Sequence, residues 1–107
     1  MVKVIVLHLA NLGPVYGGRL STYLRDRGYK ISPGSLYPLL HSLEAAELLQ
    51  SRHRVYEGRA RKYYEITVGG KSCLEELRQQ VGGIVREVFF QTAPGTKGTP
   101  AENPPSM

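Results

Sequence analysis

Ser32-Pro33-Gly34-Ser35-Leu36-Tyr37-Pro38-Leu39-Leu40-His41-Ser42-Leu43-Glu44 is the stretch that decides the fold of this chain. Leu36, Leu39, Leu40 and Leu43 recur at i, i+3, i+4 and i+7, which predicts a short helix with one apolar stripe. Ser35, Tyr37, Pro38, His41 and Ser42 lie off that stripe and face outward. Two prolines bear on where the helix begins. With Ser32 as the cap, Pro33 is the first helical residue and Pro38 falls in the interior, deleting a backbone bond. With Ser35 as the cap, Pro38 lies in the first turn, where a missing N–H costs nothing. The second reading is preferred, with Ser32-Pro33-Gly34 as the lead-in turn.

Downstream of Leu48-Leu49 the period changes to two. Ser51, His53 and Val55 alternate with Arg52, Arg54 and Tyr56; the turn Glu57-Gly58-Arg59-Ala60 then leads into Arg61 to Thr67, where Tyr64 and Ile66 share a face. Arg52 to Thr67 is thus a hairpin with a cationic tip. Arg52, Arg54, Arg59, Arg61 and Lys62 all fall within it. A short helix with a polar outward face, followed by a charged β-ribbon, predicts a winged helix-turn-helix: mainly α with a two-stranded β wing. Such a helix enters the major groove of duplex DNA while the ribbon reaches the phosphates beside it. Phosphates demand charge but no particular order of residues, so base reading falls to Ser35, Tyr37, His41 or Ser42.

The flanking segments fit around this pair. Val2 to Leu12 is dense in apolar residues. Its β-branched run suits a strand, while Ile5, Leu9 and Leu12 suit helical spacing. Gly13-Pro14 ends it. Val15 to Arg27 reads as a helix with Leu20, Tyr23 and Leu24 inward, and Gly28 stands where a C′ glycine belongs. Thr67 is the expected cap of a last helix starting near Val68. Along it Leu74, Leu77, Val81, Ile84 and Val88 repeat at 3, 4, 3 and 4, the seam of a dimerising coiled coil, interrupted by Gly82-Gly83. From Gln91 onward Pro, Gly, Thr and Ser prevail without period, which predicts disorder. The chain divides into a DNA-binding domain over 1–67, a dimerisation helix over 68–90 and a tail over 91–107.

Composition narrows the function. At 107 residues one small core is available, burying roughly two-thirds of the unfolded surface, so a partner subunit is a natural source of added stability. The net charge of +5 favours a polyanion. Cys73 is the sole cysteine, which rules out an intramolecular disulfide and fits a reducing, cytoplasmic setting. The apolar N-terminus is too short to cross a bilayer and lacks the charged flank of a signal peptide. His8, His41 and His53 sit on different elements with no i, i+4 pair and no cysteine pair, so no metal site is expected. Asp26 and Glu44 have no paired carboxylate in view, and no nucleophile–base set or phosphate loop appears. No catalytic residue and no cofactor is expected.

Ser32 to Leu40, then Leu43-Glu44, then Gly58-Arg59-Ala60-Arg61-Lys62-Tyr63-Tyr64-Glu65-Ile66-Thr67 with Gly70-Lys71, resemble the signature of PadR-type transcriptional regulators. The resemblance runs from about Leu7 to Leu77. It implies a dimeric winged-helix repressor, with the third helix and wing on operator DNA and the last helix in the dimer interface. It also implies that Ser35, Tyr37 and Pro38 form the reading end of the third helix, and that Arg59, Arg61 and Lys62 lie in the wing. A twofold dimer would address half-sites of a pseudo-palindrome about one helical turn, ~34 Å, apart. The sequence departs from the family where Gly18 follows Tyr16-Gly17 in place of an aromatic. Two other classes remain open: a winged-helix adaptor for a partner protein, and a sensor taking a small hydrophobic effector at the dimer interface.

Overall fold

The computed structural model describes residues 1–90; the reading of the tail, 91–107, lies outside the described residues. The elements are α1 (Val2–Leu12), β1 (Val15–Tyr16), α2 (Gly17–Asp26), α3 (Pro33–Ala45), β2 (Leu49–Tyr56), β3 (Arg59–Ile66) and α4 (Val68–Phe89). The three strands form one antiparallel sheet in the order β1-β3-β2. This is a winged helix: α2 and α3 make the helix-turn-helix, and β2 and β3 the wing. The chain divides into two units, Met1–Glu75 and the residues from Glu76 onward, so the first turns of α4 belong to the first unit.

The core of the first unit is built from one stripe per helix. Val6, Leu7 and Ala10 come from α1, Leu20 and Leu24 from α2, and Leu36, Leu40 and Leu43 from α3; Leu49, Tyr64 and Leu74 complete it. The N-terminal segment is therefore a helix, but its buried stripe is not the expected one, since Leu12 is 72% exposed. Leu39 is only half-buried, which narrows the predicted stripe of α3 to three leucines.

Two helices end in the same way. At α2 the Gly28 N–H donates to the Arg25 carbonyl and the Tyr29 N–H to the Leu24 carbonyl, with Gly28 at φ 84°; this is a Schellman motif. At α3 the Glu47 N–H donates to Glu44 and the Leu48 N–H to Leu43, with Glu47 at φ 62°. A glutamate here carries the Cβ penalty that Gly28 avoids. Glu47→Gly is expected to stabilise the fold by about 0.5–1 kcal/mol. Thermal unfolding should show a rise in Tm of roughly 3–6 °C.

The structure corrects four of the sequence expectations. First, the cap of α3 is Ser32, not Ser35. The Ser32 carbonyl accepts from Ser35 and Leu36 at 3.0 and 2.9 Å, Pro33 is the first helical residue, and Pro38 lies inside the helix. Pro38 removes only the donor to the Gly34 carbonyl, and both residues are exposed, so water can replace it. Pro33, with φ preset for the first helical position, favours the earlier start. Second, Val15 and Tyr16 do not open α2 but pair with Tyr64 and Tyr63 as a third strand. Third, the hairpin starts earlier, at Leu49, and its turn is only Glu57-Gly58. Both turn residues have positive φ, 51° and 76°, as a two-residue type I′ connection requires. Fourth, Leu74 is 1% exposed and belongs to the core of the first unit, so it cannot serve a seam between chains.

Thr67 caps α4 as expected. Its Oγ1 accepts from the Gly70 N–H at 2.9 Å and donates to the Glu47 carbonyl at 2.6 Å. Gly82 and Gly83 do not break α4. In its later turns Ile84, Val85, Val88 and Phe89 are 62%, 38%, 63% and 73% exposed, while Leu77 and Val81 are half-buried.

Candidate nucleic-acid interface

Successive α-helical residues turn by about 100°, which divides α3 into three faces. Leu36, Leu40 and Leu43 hold it to the core. Ser35, Pro38 and Ser42 form an exposed stripe on the far side. Tyr37, His41 and Glu44 form a third stripe, turned toward the wing. The Ser42 hydroxyl donates to the Leu39 carbonyl at 2.8 Å, which leaves its oxygen as an acceptor. Tyr37 has a second duty. Its ring lies against Gly17, where a Cβ would come within 2.5–2.7 Å of the ring and hydroxyl, so glycine at 17 is what lets Tyr37 settle there.

The wing divides as well. Directly paired residues share a face. Pairing Arg52 with Tyr63, Arg54 with Arg61 and Tyr56 with Arg59 therefore places Arg52, Arg54, Arg59 and Arg61 together. Pairing His53 with Lys62 and Ser51 with Tyr64 places Lys62 on the opposite face, the one that carries the buried Tyr64. The five predicted wing cations are thus four arginines on one face and a lysine on the other. Arg52 is engaged by Glu65 at 3.1 Å. Arg61 stacks its guanidinium 4.4 Å from the centre of the Tyr16 ring, and Tyr16 meets Tyr63 edge-on at 5.4 Å. The aromatic pair props Arg61.

Between α3 and the wing lies an open groove of about 440 Å³, bordered by Tyr16, Gly17, Tyr37, His41, Arg61 and Lys62. It joins the wing-facing stripe of α3 to the cations of β3. Tyr16 and Gly17 were not among the sequence candidates. The two-residue strand Val15–Tyr16 carries no periodic signal, and only its pairing with β3 brings Tyr16, and Gly17 at the start of α2 after it, to this place.

Beside the groove, Glu44 ties α3 to the sheet. One carboxylate oxygen accepts from the Ser51 hydroxyl at 2.5 Å and the Ser51 N–H at 3.1 Å; the other lies 3.8 Å from the Lys62 ammonium. The Ser51 hydroxyl is the main cause that holds this carboxyl below its ordinary range. Partial burial opposes it, while the Ser51 N–H and the Lys62 and His41 charges assist. Among the described residues no cluster of three or more His, Cys, Asp or Glu is placed to hold a metal, and no helix is long and apolar enough to cross a membrane.

A helix-turn-helix with a polar face on its second helix, flanked by an arginine-bearing ribbon, defines a winged-helix regulator. The chain belongs to the PadR-like family: the profile of the Transcriptional regulator PadR-like family matches residues 6–76. Transcriptional regulator Rv3488 of Mycobacterium tuberculosis is 45% identical over 88 residues, 82% of each chain. Among solved structures, a PadR-like transcriptional regulator of Bacillus cereus (BC4206) is 33% identical, with a TM-score of 0.77 over 86% of this chain and 92% of that one. The smu.1704 protein of Streptococcus mutans, 24% identical, shares the fold with a TM-score of 0.80 over 95% and 92% of the two chains. The family and the two named regulators are transcriptional regulators, not enzymes, in agreement with the sequence reading. The chain is a transcriptional regulator of this family, for which DNA binding is implied.

Proposed function

We propose that this regulator is a sequence-specific repressor that binds duplex DNA as a homodimer on a pseudo-palindromic operator. The observation that carries the reading is the groove. It brings Tyr37 and His41 of α3 beside Arg59, Arg61 and Lys62 of β3, so a helix in the major groove and a ribbon on the flanking phosphates can engage together. Ser35, His41 and Ser42 supply donors and acceptors for base edges, and Pro38 adds an apolar surface on the stripe of Ser35 and Ser42. Tyr37 borders the groove with part of its ring committed to Gly17. Arg54, Arg59 and Arg61 take phosphates.

Dimerisation is supported by the later turns of α4. Ile84, Val85, Val88, Phe89 and Phe90 expose apolar side chains within one short segment, a surface that a second copy would remove from water. Leu77 and Val81 extend it; Leu74 does not. Repression fits a small chain of which the described part holds one DNA-binding domain and one such helix. A cytoplasmic setting accompanies that role.

Replacing His41 or Ser35 by alanine tests the assignment of α3. Each variant is expected to lose about tenfold in affinity for a duplex selected by the wild type from a random pool. Affinity for scrambled duplex should stay as in the wild type. Equal losses on both duplexes would place base reading elsewhere.

A further inference from the structure

We propose that Glu44 is a specificity-determining positioning residue, a carboxylate latch that fixes the wing against the recognition helix and so sets the spacing at which bases and phosphates are read together. The proposal rests on the DNA-binding reading above. Glu44 lies one turn beyond His41 on the groove-facing stripe of α3. Its two oxygens reach both strands of the wing: Ser51 of β2 through two hydrogen bonds, and Lys62 of β3 through its charge. Both partners lie on the wing face that turns toward α3, because Ser51 and Lys62 fall on the same face in the β2–β3 register.

An acidic side chain at such an interface is otherwise costly. It repels the DNA backbone, and it keeps Lys62 occupied when that ammonium could serve a phosphate. A carboxylate that lowers general attraction to DNA is worth retaining if it raises discrimination. The two effects have opposite signs, which separates a latch from a bystander charge. Glu44 does not touch bases; it acts through the placement of the wing.

The test compares wild type, Glu44→Ala, Glu44→Gln and Ser51→Ala on a duplex selected from a random pool and on its scramble, by fluorescence anisotropy. Glu44→Ala removes charge and latch together. It should bind the scramble about twofold tighter, while its preference for the selected duplex falls about tenfold. Glu44→Gln loses the charge but keeps an acceptor for Ser51. It should show the same gain on the scramble, with its preference within about twofold of wild type. Ser51→Ala keeps the charge and removes the hydroxyl donor. Its preference should fall about threefold with the scramble affinity unchanged, a result available even if Glu44→Ala fails to fold. If Glu44→Ala binds both duplexes more tightly in the same proportion, or if Ser51→Ala keeps full preference, Glu44 is only a surface charge and the latch is wrong. A wild type that selects no sequence from the pool would overturn the DNA-binding reading itself, a failure distinct from that of the latch.

Discussion

Gly70→Ala is expected to destabilise the protein by about 3 kcal/mol, lowering Tm by roughly 12–20 °C. Gly70 is the third residue of α4, and its N–H is the donor that the Thr67 cap accepts. A Cβ at this position would overlap the Leu48 carbonyl and approach the Ile66 Cγ1 to 2.6 Å. The obstacle is backbone, and it cannot retreat easily. Leu48 closes the Schellman motif of α3 through its N–H to Leu43, and its carbonyl accepts from Thr67 at 3.1 Å. One methyl group therefore strains the end of α3, the end of β3 and the start of α4 together. Gly69→Ala is the matched control. Its Cβ would meet nothing closer than 3.5 Å, so helix propensity should make it neutral or stabilising by up to about 1 kcal/mol. Thermal melts of the two variants, side by side, check the claim; equal melting would refute the close approach.

The second large effect concerns DNA. Replacing Arg59 and Arg61 together by alanine is expected to weaken binding to selected and scrambled duplex alike, by about tenfold or more. The salt dependence should flatten by roughly one unit of log–log slope for each phosphate left without its arginine. Lys62→Ala should cost less, about threefold at most, because the Glu44 carboxylate already occupies part of its charge. Affinities at two or more salt concentrations test both statements. A salt-independent loss in the arginine double variant would mean that the wing does not sit on phosphates. A Lys62 variant as weak as the arginine pair would mean that the Glu44 ion pair does not survive on DNA.

Much of this architecture was legible because it rests on short-range rules. The leucine spacing of α3, the glycine after α2, the threonine before α4 and the alternation of the wing each follow from one element's own geometry. What failed was non-local. The two residues Val15 and Tyr16 form a strand only because β3 offers an edge to them. Leu74 fits the spacing of a dimer seam, but periodicity cannot tell whether a helix buries a side chain on its own domain or on another copy. The start of α3 turned on the cost of Pro38, which falls on an exposed carbonyl and is smaller than a buried break would impose. One feature could have been read from the sequence: Arg61 and Lys62 are adjacent in a strand, so they must point to opposite faces. The pairing of Glu44 with Ser51 and Lys62 needed the register and the docking of α3, neither of which the sequence displays.

The central claim is that this regulator reads duplex DNA by sequence through α3 while its wing holds phosphates. Fluorescence anisotropy of the wild-type chain on a pool-selected duplex and its scramble, at two salt concentrations, tests it most directly. The expected result is a clear preference for the selected duplex and, with ~6–8 phosphates engaged by a dimer, a log–log salt slope of roughly −5 to −7. Weak binding that ignores both sequence and salt would contradict it, and would point to a winged helix whose partner is another protein.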